Sequence, residues 1–406
     1  MSLFLTAELP ATGGVLRERP EDFEVEEVPR RAPSGRGDFA HALIVKRGIS
    51  TPELQRRLGA ALSIPAAQVG VGGMKDADAV ARQWVSVPWA KEPKLSAATI
   101  RDVDVVEIAR DDRPLAPGDL AGNRFTIHLR GVGEEGAALT KARAILAVLT
   151  RRGVPNFFGA QRFGVRGESA EIGRRLLLKD HVGALDLLLG APSDGERDPR
   201  ARQFREAYER GAYREARALV PGRLSSEARL LDELAHGRSK EFVAGKISPA
   251  MRRLFLSAWQ SLLFNRVVAR RLTRIDVALA GDLLKAGRDE APRRCTDPAV
   301  DQPEVARLAL HPTAPLFGAR VELADGEPGE IERAVFAEAA VPPARLERPT
   351  GLALWGARRE CRFVPDELDV KALPGEGTLV FRFRLPPGCF ATALLGEVSK
   401  SLLPPI

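Results

Sequence analysis

Apolar residues recur at two different periods along this chain, and the places where the period changes constrain its fold most. Near the N-terminus, Phe23-Glu24-Val25-Glu26-Glu27-Val28 alternates apolar and polar residues, as a half-buried strand does. Arg124-Phe125-Thr126-Ile127-His128-Leu129 repeats the pattern, and Thr378–Leu385 reads as a further strand that alternates in its second half. Between them, from about 170 to 275, the texture is helical. A strand-rich beginning and a strand near the end, around a helical middle, predict an α+β chain. Its termini share one sheet and its middle is inserted.

Local signals refine this outline. Thr51-Pro52-Glu53 reads as an N-cap opening a helix through Leu62. Thr140 to Leu149 is a second helix, closed by Arg151-Arg152, then Gly153 as a left-handed cap, then Pro155. Met251 to Arg274 carries Leu254, Trp259, Leu262, Leu263 and Val267 as an apolar stripe. There Arg266, Arg270 and Arg274 recur every fourth residue on one exposed face, which reads either as a solvated helix face or as a stripe that meets an anionic partner weakly. Residues 276–345 read as Gly/Pro-rich with short strands, and Ala391 to Leu402 as a closing helix.

At 406 residues the chain is long enough for two cores. The formal charge of +7, mostly from Arg, favours an anionic partner such as nucleic acid. Cys295, Cys361 and Cys389 lie far apart without a CxxC pair, which argues against a disulfide scaffold or zinc site. No run approaches the roughly 18 apolar residues of a membrane span. The N-terminal stretch has no basic n-region and is interrupted by Glu8 and Pro10, so a cytoplasmic protein is expected.

Two segments look built for chemistry. In Gly72-Gly73-Met74-Lys75-Asp76-Ala77-Asp78-Ala79-Val80, glycines permit a tight backbone approach and the loop presents charge just before an apolar strand. In Asn156-Phe157-Phe158-Gly159-Ala160-Gln161-Arg162-Phe163-Gly164, aromatics suited to stacking on bases interleave with amides suited to reading base edges. Gly245-Lys246 is followed by Ile247, so no phosphate loop forms, and neither a G-x-S-x-G elbow nor an H-E-x-x-H helix is present. Asp76-x-Asp78-x-Val80 matches the D-x-D-x-[TV] signature of haloacid-dehalogenase-like phosphotransferases. However, Gly72, Gly73 and Lys75 make a poor buried strand before it, and Asp282 and Asp289 are too widely spaced to hold the metal.

At these residues the sequence resembles the TruD family of tRNA pseudouridine synthases. Pro20-Glu21-Asp22-Phe23 resembles its P-E-D-F motif. Gly73 to Asp76 with Ala79-Val80 and Gln83-Trp84 resembles its G-x-K-D-x-x-A-V-T-x-Q-W motif. Pro155 to Gly164 is similar to P-N-[YF]-F-G-x-Q-R-F-G almost letter for letter. The likeness continues through Ser257 to Asn265, Gly281-Asp282, Pro312 to Gly318 and Leu385 to Thr392, so it covers essentially the whole chain. Ala81 departs from the family's usual Thr, and Ala314 from a common Gly.

The resemblance implies a mixed, mainly antiparallel pseudouridine-synthase sheet formed by residues 1–180 and 361–406, with an inserted α/β TRUD domain at 181–360. It implies isomerisation of uridine 13 of tRNA by a monomer that needs no cofactor or metal. Asp76 is then the catalytic carboxylate, attacking C1′ or removing the C2′ proton. Arg17, rather than the adjacent Lys75, would hold it ionised. Phe158 would stack on the flipped uracil, Asn156 would bond the base or ribose, and Phe23 would wall the pocket. Lys75, Gln83, Gln161 and Arg162 complete the expected substrate-binding set, and Asp78 is expected to be a loop residue. A magnesium-dependent phosphatase reading of Asp76 and Asp78 and a non-catalytic RNA-binding or folding module with the same pocket are the remaining alternatives.

Overall fold

The computed structural model describes residues 3–75, 77, 79–193, 196, 198–222, 224–287, 290–347, 351–401, 405 and 406. These fall into two compact units: the chain passes between them at 154/155 and at 362/363, and residues 405 and 406 group with 155–362.

The unit holding both ends of the strand pattern is a nine-stranded sheet. Its strands are β1 (Val15–Leu16), β2 (Phe23–Pro29), β3 (Phe39–Arg47), β4 (Gly70–Val71), β5 (Val80–Pro88), β6 (Val103–Asp111), β7 (Leu120–Arg130), β8 (Asp366–Leu373) and β9 (Thr378–Leu385). The order β8-β9-β7-β2-β5-β3-β6, with β1 on β7 and β4 on β5, seats the C-terminal strands against those from the N-terminal part. Only β2 and β5 run parallel among the described pairs of this sheet. The expected single mixed, mainly antiparallel sheet is what forms.

Strand parity places the core. Ala40, Ala42 and Ile44 of β3 and Val85 and Val87 of β5 pack with Leu54, Leu58 and Leu62 of the Thr51–Leu62 helix. Towards the other edge, Phe125 meets Phe23 edge-on at 5.9 Å and stacks on Phe383 at 5.4 Å. The Glu135–Arg152 helix lies on β8 and β9 and against the Ala391–Ser399 helix.

The other unit is mostly helical, with a four-stranded sheet ordered Arg293–Arg294, Leu283–Lys285, His311–Leu316 and Ala357–Glu360. Its long Pro249–Arg271 helix packs on the Ser169–Leu177 helix through Gly173, where an added Cβ would stand 2.2 Å from the Phe255 carbonyl oxygen. The compact units part at 154/155, upstream of the change in sequence texture at about 170.

Several local expectations are corrected. The N-cap of the first helix is Ser50, whose hydroxyl accepts from the Glu53 amide, and Thr51 is freed for other bonds. The second helix runs over Glu135–Arg152, and Gly153 has φ 83° with ψ 157°, so it is extended in ψ rather than left-handed helical. Leu254 is 50% exposed and lies off the apolar stripe. Residues 276–345 contain two helices, Pro298–Ala306 and Gly326–Glu338, besides the short strands. The last helix ends at Ser399, with Lys400 as its left-handed cap, and Leu402 lies outside the described residues.

Candidate active site

Asp76 and Asp78 lie outside the described residues, but the backbone leading to them is held by named contacts. Val25 of β2 pairs with Ala81 of β5, and Ala81 pairs with Lys46 of β3, so the three share one face of the sheet. Two residues along, Gln83 pairs with Ile44, and Glu27 continues the parity of Val25. The face that buries Phe23 and Ile44 therefore also buries Glu27, Lys46 and Gln83.

The Gly72–Lys75 segment is fastened to this polar row. Gln83, with no exposure, donates from its side-chain amide to the Gly73 carbonyl at 2.6 Å. Its Oε1 accepts from the Thr51 hydroxyl at 3.0 Å, and Thr51 in turn accepts from the Lys75 amide at 2.8 Å. Lys46, also without exposure, donates from Nζ to the Ile49 carbonyl at 2.5 Å and to the Lys75 carbonyl at 3.4 Å. The Lys75 ammonium stands 3.6 Å from the Glu27 carboxylate, which also accepts from the Trp84 amide. Burial pushes the Glu27 carboxyl above its ordinary range, against the pull of Lys75 and the Trp84 amide. An added Cβ on Gly72 would lie 2.7 Å from Glu27 Oε1, so the glycine allows the loop to close over the carboxylate.

Phe23 and Arg17 lie at the same end of this sheet. The register Glu24 to Val80 sets Phe23 beside the entry to β5, and β1 delivers Arg17 next to it along β7. The Arg17 guanidinium sits 4.1 Å over the Phe23 ring, and its φ of 62° is unusual for a non-glycine residue. Asp22 of the same motif is buried, with Arg130 at 2.7 Å and the Arg19 amide at 3.0 Å. Burial raises its pKa, but these donors outweigh burial and hold the carboxyl below its ordinary range.

The helical unit carries the other predicted residues. Phe158 is 7% exposed. Its backbone is clamped by Asn265, whose Oδ1 accepts from the Phe158 amide at 2.8 Å and whose Nδ2 donates to its carbonyl at 2.9 Å. Phe264 meets the Phe158 ring edge-on at 5.5 Å, and the Arg359 guanidinium covers it at 4.3 Å. Asn156 donates to the Glu360 carbonyl at 2.9 Å and accepts from Arg359 at 2.5 Å, so both ends of its amide are engaged. Arg162 donates to Ser261 and Ser257, while Gln161 is exposed.

Two expectations change here. Gln83 is a buried brace of the Asp76 loop rather than a substrate-facing group. The arginine stripe is largely engaged: Arg270 bonds both oxygens of Glu338 at 2.6 Å, and Arg274 pairs with Glu327. Asp282, one acid of the phosphotransferase reading, forms a buried ion pair with Arg271 at 2.6 Å, and Asp289 lies outside the described residues.

Sequence reasoning missed Glu27, Lys46, Thr51, Asn265 and Arg359. Parity could have found the first two, because Lys46 follows Ala40, Ala42 and Ile44 at period two, and Glu27 follows Phe23 and Val25. Asn265 closes the Ser257 to Asn265 likeness, but it and Arg359 are distant in sequence from Phe158 and nothing local tied either to it.

Comparison with known proteins agrees with this architecture. The family model described as tRNA pseudouridine synthase D (TruD) matches residues 1–398. The tRNA pseudouridine synthase D of Geobacter metallireducens is 42% identical over 399 residues, covering 98% of this chain and 97% of that protein. That of Anaeromyxobacter dehalogenans strain 2CP-C is 36% identical over 401 residues, covering 98% and 96%. A solved TruD structure from Methanosarcina mazei superposes with a TM-score of 0.76 at 26% identity, covering 98% of this chain and 96% of that one. With its sheet order, its two motif loops and its full-length likeness to these relatives, the chain belongs to the tRNA pseudouridine synthase D family.

Proposed function

We propose that this chain isomerises uridine 13 of tRNA to pseudouridine, with Asp76 as the carboxylate that acts on the flipped nucleotide. The observation that carries the reading is the backbone before Asp76, fixed by Lys46, Thr51 and Gln83 on a buried sheet face. A group that must meet a sugar carbon within a fraction of an ångström needs such a support. The Lys46 ammonium bonds the Lys75 carbonyl, one peptide bond from Asp76, and so fixes the backbone from which that residue starts.

In the reaction the N1–C1′ bond breaks, the uracil turns, and C5 bonds to C1′. The C5 proton leaves and N1 regains one, so atoms balance without an oxidant or a hydrolytic water. Asp76 forms a bond to C1′ that attack by C5 then breaks, or removes a C2′ proton that it returns once C5 is joined, and the enzyme needs no metal or cofactor for either route. Extruding the uridine costs a few kcal/mol, which base contacts must offset. Phe158 stacks on the base, and Asn156, positioned by Glu360 and Arg359, has one amide hydrogen and one lone pair left for the base or ribose. Phe23 and Arg17 wall the carboxylate side, and Arg162 and Gln161 shape the aromatic loop. We assign residues 1–180 and 361–406 to the catalytic domain and 181–360 to the inserted domain, in a cytoplasmic monomer.

The test is to map pseudouridine by carbodiimide-dependent primer-extension stops on a tRNA transcript treated with the protein. A stop at position 13 that vanishes when uridine 13 is replaced by cytidine is expected. A stop elsewhere would keep the isomerase and overturn the position.

A further inference from the structure

We propose that Arg238, Phe242 and Lys246 form a second RNA-contact surface, taking an unpaired base of the tRNA on the Phe242 ring and the flanking phosphates on the two cations. Phe242 lies in the Lys240–Gly245 helix, which docks through Val243 and Ala244, while the Phe242 ring remains 44% exposed. The Arg238 guanidinium lies 5.3 Å and the Lys246 ammonium 4.9 Å from the ring centroid, so a cation flanks the ring on each side in sequence.

What distinguishes these two cations is what they do not hold. Both are exposed, and among the described residues neither enters an ion pair. Lys240, between them in sequence, is occupied by Asp186 at 2.6 Å and lies over Tyr208. Glu241, the acid of this helix, is exposed beside Phe242, while the Ser239 hydroxyl accepts from the Phe242 amide. Arg252, which donates to the Gly245 carbonyl at 2.7 Å, brings a further cation to the end of the helix. The strip therefore sets three cations, Arg238, Lys246 and Arg252, against one exposed acid, Glu241, around an exposed ring. Single-stranded RNA is recognised by this combination, with stacking on the aromatic face and phosphate contacts alongside. The arginines at 270 and 274 would first have to give up their carboxylates.

The inference rests on tRNA being the substrate, which wild-type turnover reads separately in the same preparation. The experiment measures tRNA affinity over a salt series for wild type, Phe242→Ala and the double variant Arg238→Gln/Lys246→Gln, with turnover at saturating tRNA. Phe242→Ala is expected to raise Kd about fivefold or more. The double variant is expected to raise Kd about tenfold and to flatten the dependence of log Kd on log salt by roughly 1 to 1.5. Turnover at saturation is expected to stay at the wild-type level for all variants, since none of these residues belongs to the proposed catalytic site. Wild-type affinity for Phe242→Ala would overturn the proposal, whatever the charge variants do. So would an unchanged salt slope in the double variant, which would leave the strip to a partner other than RNA.

Discussion

The loop that leads to Asp76 and the loop that carries Phe158 are fastened by different kinds of interaction. The first is tied to a sheet face by buried charged and hydroxyl groups: Lys46, Thr51, Gln83, and Lys75 against Glu27. The second is held by ring packing on Phe264, the Asn265 amide clamp and the Arg359 guanidinium. A reacting carboxylate needs a fixed position and a steady local field, and buried charges in low dielectric supply both. Base recognition needs planes and in-plane donors, which aromatic rings and amides supply. The contrast predicts that damage to the first loop falls on turnover and damage to the second on binding.

Among the residues that support the two loops, the largest expected effect is that of Lys46→Met, which keeps the stem and removes the charge. It should lower kcat about 100-fold with little change in KM, read by steady-state kinetics on tRNA. A KM effect of the same size, with kcat intact, would break the comparison. Next is Phe158→Ala, expected to raise KM about tenfold through lost stacking with a smaller change in kcat. Removing the clamp by Asn265→Ala unpairs the amide and carbonyl of residue 158 and should destabilise the helical unit by about 2 kcal/mol in chemical denaturation. It should mimic the Phe158 kinetics and spare those of the first loop.

How much of this contrast was legible follows from the same physics. Alternation at 23–28, 124–129 and 378–385 exposed the strands, because a one-sided sheet must alternate. The two motif loops stood out because their residue types serve neither core nor ordinary surface. The buried row of Glu27, Lys46 and Gln83 needs the register of three strands to be seen, and registers are long-range facts. Thr51 looked like a cap because it precedes Pro52, yet Ser50 caps and Thr51 turns inward to Lys75 and Gln83. The arginine stripe was visible by its spacing, but its acid partners come from a helix more than fifty residues away.

Smaller effects sharpen the comparison further. Asp22 has its carboxyl held below the ordinary range, so its contribution to stability is present above the unfolded carboxylate pKa of about 4 and fades as pH falls through its folded value. The urea midpoint should therefore decline below about pH 4, and Asp22→Asn should flatten that decline while lowering stability at neutral pH. The smallest effect is charge reversal at Arg266, Arg270 and Arg274. Two of them are already committed to carboxylates, so tRNA Kd should rise less than about threefold at moderate salt.

The central claim is that the fixed loop presents Asp76 to uridine C1′ chemistry that exchanges the C5 hydrogen. Its most direct test is tritium release from tRNA labelled at uridine C5, with wild type and Asp76→Asn compared in the presence of EDTA. Release by wild type, with a loss of more than about 1,000-fold in the variant and unchanged tRNA affinity, is the predicted result. Release by Asp76→Asn at the wild-type rate, or none from wild type on a tRNA with unmodified uridine 13, would contradict it.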